Sequence, residues 1–143
     1  MVKKTQNGFS LIELLVVLVI IAVIAALAVP ALLRARQAAE NGNAFSSLRT
    51  MVSTETSFYA TNGRYARLDE LNGGVNGGFG TISEDKLLRS GFVFVMNPAK
   101  PSDEQLREGF HITATRAVGG DLPYALDVDQ SGRIIELYNN APQ

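Results

Sequence analysis

The 143-residue chain contains no cysteine. In an exported protein this excludes disulfides, so a packed core or an assembly has to supply the stability. Histidine is nearly absent too. His111 is the only one, so a zinc site built on His and Cys has too few ligands. His111 falls in a stretch that reads as a strand, where a lone histidine is far more often structural than catalytic. No Gly-x-Ser-x-Gly nucleophile elbow occurs. The glycine-rich stretch 73–80 is neither preceded by a strand pattern nor followed by Gly-Lys-Ser/Thr, which excludes a phosphate-binding loop and leaves a surface loop. Neither charge sign dominates, with 13 basic against 14 acidic side chains and no arginine-rich face or tail. Nucleic acid is therefore not the partner that composition suggests. These absences argue against an enzyme, and no residue pattern asks for a cofactor.

What the chain does have is an apolar run. Sixteen uninterrupted apolar residues extend from Leu14 to Val29, and Lys3 and Lys4 stand ahead of them. One charge, Glu13, sits at the start of the run. A carboxylate at bilayer depth costs roughly 3 kcal/mol or more, so such a residue reads as functional and in need of a partner. Three readings of the N-terminus compete. A secretory signal would use Ala26-Leu27-Ala28 as its small-x-small cleavage site. A plain membrane anchor needs about 20 apolar residues. A third reading cuts the chain after Gly8 and retains the apolar segment. A buried charge serves neither of the first two, and the run is long for a signal core, so the residues favour the third. On that cut, losing Lys3 and Lys4 reduces the 13 basic residues to 11 against 14 acidic.

The stretch Gly8-Phe9-Ser10-Leu11-Ile12-Glu13-Leu14, with Pro30 as residue 22 counted from Phe9, resembles the N-terminal signature of type IV pilins and pseudopilins. The likeness is close over about the first 30 residues and holds in pattern over the next 30. It implies a prepilin peptidase that cuts between Gly8 and Phe9 and N-methylates Phe9. One position departs from the common pattern. Many members carry glycine where this chain has Ala22, which bears on how readily the helix unwinds there on assembly. The resemblance further implies a structural subunit of a type IV pilus serving adhesion, twitching motility or DNA uptake. The alternative is a pseudopilin of a type II secretion system. Implied partners are other pilin subunits, the prepilin peptidase, the inner-membrane assembly platform and membrane lipid. Implied locations are the bacterial inner membrane before assembly and an extracellular pilus, or periplasmic pseudopilus, afterwards. The expected working parts are Phe9, Glu13 and Pro30, with the Phe9 amine and Glu13 carboxylate attracting one another across subunits.

The pattern divides the chain into a leader at 1–8, a hydrophobic helix at 9–33, an amphipathic continuation at 34–60 and a globular head at 61–143. One helix is expected from Phe9 to about Tyr59, bent at Pro30, where the missing N–H and the ring clash disturb the ladder. In its second half Phe45, Leu48, Met51 or Val52, Glu55, and Phe58 or Tyr59 recur at helical spacing and predict a core-facing stripe. Arg34, Arg36, Glu40, Arg49 and Thr50 fall mostly away from it. Asn41-Gly42-Asn43 is a weak point, since glycine costs about 1 kcal/mol against alanine in a helix.

Asn62-Gly63 reads as the helix end. The head then carries a loop region at 61–91, in which Ser83 is expected to cap a short helix through Arg89. Within a sheet region at 92–138, strands are predicted at Phe92–Met96 and Phe110–Ala117. Gly119-Gly120-Asp121 is a turn, and Tyr124–Val128 with Arg133–Tyr138 forms a hairpin. Lys100 to Glu108 reads as a polar loop. The expected fold is α+β, the pilin fold, with a long helix laid on an antiparallel sheet of about four strands. Asp127-x-Asp129-x-Ser131-Gly132 resembles the start of a calcium loop, but Tyr138 stands where the bidentate Glu belongs. A hairpin turn explains the same residues and is favoured, leaving Asp127, Asp129 and Ser131 as weak calcium candidates.

Overall fold

The computed structural model describes residues 9–117 and 124–137. The expected leader with Gly8, the expected turn at Gly119-Gly120-Asp121, and Tyr138 lie outside the described residues. The chain divides into two units, Met1–Ala38 and Ala39–Gln143.

Helix α1 spans Leu11–Asn62 and is unbroken at Ala22, Pro30 and Gly42. Pro30 removes one donor, the one that would have bonded the Ala26 carbonyl. At Gly42 a Cβ would meet nothing within 4 Å, so the glycine answers no packing need and the helix simply tolerates it. The helix ends as the sequence suggests. Gly63 takes φ 69°, and its N–H donates to the Tyr59 carbonyl at 2.8 Å, a left-handed cap that glycine adopts without a Cβ penalty.

The buried positions of α1 are Ala44, Ser47, Leu48, Met51 and Glu55, with Val52 and Phe58 packed at the edge of the core. This stripe lies slightly round the helix from the expected one. Phe45 and Tyr59 stay 36% and 40% exposed; Phe45 is covered by the Arg49 guanidinium 5.5 Å from its ring centre, and Tyr59 stacks on Tyr65 at 4.7 Å. The outer face is rich in Ser and Thr, whose hydroxyls donate back to carbonyls one turn earlier, as Thr50 does to Ser46 and Ser57 to Ser53.

Six strands follow in a single antiparallel meander. They are β1 (Thr81–Ser83), β2 (Lys86–Arg89), β3 (Phe92–Met96), β4 (His111–Arg116), β5 (Ala125–Asp129) and β6 (Ile134–Glu136). Two short helices, α2 (Leu68–Gly73) and α3 (Asp103–Glu108), complete the described elements. Strand alternation sorts the sheet into two faces. Phe92, Phe94, Met96, Ile112, Ala114, Leu126 and Val128 all point inward, against Leu48 and Met51 of α1, Leu71 of α2 and Leu106 of α3. Each of these side chains other than Ala114 contributes about 1.5–3 kcal/mol by leaving water.

Two expectations are corrected. The sheet has six strands rather than about four, because Ser83–Arg89 is not a capped helix but most of a hairpin. Ser83 pairs with Lys86 across the two-residue turn Glu84-Asp85, with Glu84 at φ 56°. A second two-residue turn, Ser90-Gly91, has φ 48° and 80° and joins β2 to β3. Positive φ at both residues matches the right-handed strand twist and fixes the pairing. The segment read as a polar loop at 100–108 contains α3, started by Ser102. The Gln105 N–H donates to its hydroxyl at 3.3 Å, and the Gln105 side chain accepts from the Ser102 N–H at 2.9 Å.

Glu40 is a further correction, since it faces the head rather than water. Arg116 of β4 donates to its carboxylate at 2.6 Å and to the Asn41 side chain, and stacks 5.3 Å from the Phe92 ring centre. The side chains are 8% and 22% exposed, so this pair is well desolvated. Arg116→Met keeps the stem that packs on Phe92 but removes the charged bond to the Glu40 carboxylate. We expect a loss of about 2–3 kcal/mol, below the limit for a wholly buried pair. Chemical denaturation of the full-length protein in detergent checks this, and an unchanged midpoint would show that the fold does not depend on the Arg116–Glu40 bond.

Candidate assembly segment

The N-terminal unit presents its chemistry at the start of α1. The carbonyl of Ser10 accepts from the N–H groups of Glu13, at 3.1 Å, and Leu14, at 3.2 Å, which closes the first turn. Glu13 therefore lies in that turn, where the helix dipole favours a negative charge. Ser10-Leu11-Ile12-Glu13 also has the spacing of a capping box, which offers Glu13 a purely local role. The structure does not use it, since the Glu13 carboxylate has no partner among the described residues. Phe9, immediately before the helix, is 83% exposed.

From Leu11 to Leu33 the large apolar side chains are 45–76% exposed. Sixteen residues from Leu14 to Val29 cover about 24 Å, and Leu11 to Leu33 about 35 Å, enough to cross a hydrocarbon layer of roughly 30 Å. The helix is long and apolar enough to span a membrane, and no part of that window is buried within the chain. An apolar surface of this length needs lipid or other apolar helices around it. One end of the segment thus carries a carboxylate with no partner among the described residues, and the rest is an unburied apolar cylinder.

The remaining candidates lie in the head and do not meet this segment's chemistry. His111 Nε2 and Asp127 Oδ2 lie 2.7 Å apart, and Thr113 donates to the other Asp127 oxygen at 2.9 Å, on the outer face of β4 and β5. Asp129 accepts from the Ser131 N–H at 2.8 Å, and the Ser131 hydroxyl from Arg133 N–H at 3.3 Å, with Gly132 at φ 73°. The three calcium candidates are thus engaged in a cross-strand contact and a hairpin turn. Among the described residues no three His, Asp or Glu side chains are grouped to hold a metal ion. A cleft of about 270 Å³ opens beside α3, lined by Met96, Pro98, Leu106, Phe110, His111 and Gln130.

Two carboxylates near the end of α1 have unusual surroundings. Glu70 takes a bidentate pair of bonds from Arg64, at 2.7 and 2.8 Å, which holds its carboxyl down to about 2. Glu55 is fully buried, and burial raises its carboxyl to about 7. Sequence periodicity placed Glu55 on the core stripe but carried no sign of this, because a carboxylate at a core position gives no indication of what it touches.

A long N-terminal helix whose second half packs on an antiparallel sheet is an α+β, pilin-like arrangement. The N-terminal segment agrees with it. Residues 3–29 match the prokaryotic N-terminal methylation motif, the signature of type IV pilins and prepilins. No curated protein and no solved structure matches the chain. The motif marks a pilin-like or pseudopilin substrate of prepilin peptidase, and it fits an inner-membrane-anchored precursor that goes on to assemble.

Proposed function

We propose that this protein is a structural subunit of a type IV pilus. Prepilin peptidase cuts between Gly8 and Phe9 and N-methylates Phe9. The Leu11–Leu33 helix holds the subunit in the inner membrane until it joins the filament, where the same helices pack against one another. The observation that carries this reading is the Glu13 carboxylate, without a partner among the described residues, at the head of an apolar helix that is not buried within the chain. In a monomeric anchor that charge has no use. In a helix bundle the amine of a neighbouring Phe9 can reach it. Two unit charges 4 Å apart attract by about 4 kcal/mol at an effective dielectric of 20, less the cost of desolvating both. A subunit docked out of register leaves Glu13 unpaired among apolar side chains, so the charge selects the register as well as stabilising it. The head, residues 61–143, forms the outer surface, with the glycine-rich loop 73–80 and the 97–109 segment among its exposed parts.

The test is the intact mass and N-terminal sequence of the chain in sheared surface filaments. A chain beginning with N-methyl-Phe9 and abundant in the filaments is the expected result. The same processed chain confined to membranes would replace this reading with the pseudopilin of a secretion system. A chain beginning near Val29 would overturn both.

A further inference from the structure

Glu55 is 0% exposed at the inner face of α1. Its Oε2 accepts from the Ala66 N–H at 2.7 Å, a bond that ties the helix to the connection leading into α2. Its Oε1 is buried and has no hydrogen-bond partner. The nearest cation, Arg64, is committed elsewhere, with both terminal nitrogens on Glu70 of α2 and its Nε 3.5 Å from Asp103 of α3. Glu70 therefore opposes a charge on Glu55, while Arg64 favours one only weakly and at a distance. From the connection itself the other titratable neighbour is Tyr65, whose hydroxyl is raised by burial and, in smaller part, by Glu55, and which stays neutral where Glu55 titrates. On the sheet side, His111 and Asp127 sit on the outer face, and Arg116 faces α1 but is engaged with Glu40, fifteen residues before Glu55.

We propose that Glu55 is a proton-operated latch: neutral, it holds the 64–73 segment closed on α1, and ionised, it releases that segment. The neutral acid keeps the Ala66 bond and places its proton on Oε1. The carboxylate keeps the same bond but holds a full charge where only one donor reaches it. The two states thus share one geometry and differ in what burial costs them. Opening the segment lets water reach the charge.

The sign follows from the direction of the shift. A carboxyl raised to about 7 in the closed state and near 4.5 when exposed binds more protons closed than open between those values. Closure is therefore favoured in acid, weakens as pH rises from about 4.5, and reaches its weakest level above about 7. Between pH 6 and pH 8 the opening constant should rise about tenfold. The proposal is independent of whether the subunit serves a pilus or a secretion system.

The experiment uses the full-length chain in detergent micelles. Hydrogen exchange of the 64–73 peptide, corrected for the intrinsic rate, should show that tenfold increase in opening in the wild type and a flat profile in Glu55→Gln. The carboxyl carbon of Glu55, followed by NMR in the wild type alone, should titrate with a midpoint near 7. A midpoint in the ordinary carboxylate range, or the same pH dependence in Glu55→Gln, would overturn the latch. The wild-type titration decides the matter even if the variant does not fold.

Discussion

Glu13→Val should leave the chain cut and inserted in the membrane but strip the cell of filaments. Two effects act in the same direction. In lipid the wild-type carboxylate carries a cost of roughly 3 kcal/mol, which pairing with an amine in the bundle relieves. Valine removes that cost from the unassembled subunit, so joining the filament no longer relieves it. It also removes the attraction itself. A loss of about 3 kcal/mol per subunit lowers the elongation constant more than a hundredfold. The apolar surface available for packing rises slightly, so poor assembly could not be laid to a weaker hydrophobic drive. Filament yield measured against the membrane pool of mature chain checks this. Glu13→Asp, which keeps the charge with a shorter reach, should fall between the two. Wild-type yield from Glu13→Val would end the pairing model. It would also leave the local capping reading as the better account, although the Glu13 carboxylate makes no such bond in the structure.

The segments that carry this argument were legible in the sequence because their signals are local. The apolar run with its single charge, the glycine at the end of α1 and the alternation of Phe92–Met96 each sit within a few residues of what they determine. The errors arose where two local signals conflicted. Ser83-Glu84-Asp85 looks like a cap with an acidic first turn, but Ser90-Gly91 just ahead of Phe92–Met96 is a hairpin signal. The positive φ at Glu84, Ser90 and Gly91 shows that the turn chemistry prevailed. Ser102 and Gln105 had the capping-box spacing of α3 in plain view, masked by the polarity of the surrounding segment. Other features had no local signal at all. Glu40 and Arg116 are 76 residues apart, and helical periodicity could only place Glu40 off the apolar stripe. Glu55 was visible as a stripe member, but its unpaired oxygen depends on Arg64 being taken by Glu70. Pairing across the fold is set by topology, which periodicity does not encode.

Gly8→Glu should abolish processing. The expected junction places a residue without a side chain directly before Phe9, where the peptidase must approach the scissile bond closely. A carboxylate there adds bulk and a charge facing Glu13 across a few residues. The uncut chain keeps Lys3 and Lys4 and, more importantly, keeps the nitrogen of Phe9 in a peptide bond. No amine is then made at Phe9, so the assembly charge pair cannot form even though Glu13 is intact. The two substitutions thus give the same loss of filaments by separable routes. Glu13→Val yields mature mass without filaments. Gly8→Glu yields the precursor mass, heavier by residues 1–8 and lacking the added methyl group. Gly8→Ser should lie on the same side, since any side chain at this position intrudes. Intact-mass measurement on membranes from each strain separates them, and a Gly8→Glu chain that still begins at Phe9 would show that the cut does not depend on this glycine. If both variants behave as expected, cleavage and assembly are successive steps on one short segment. Residue 8 governs the release of the amine, and residue 13 supplies the charge that the amine must find.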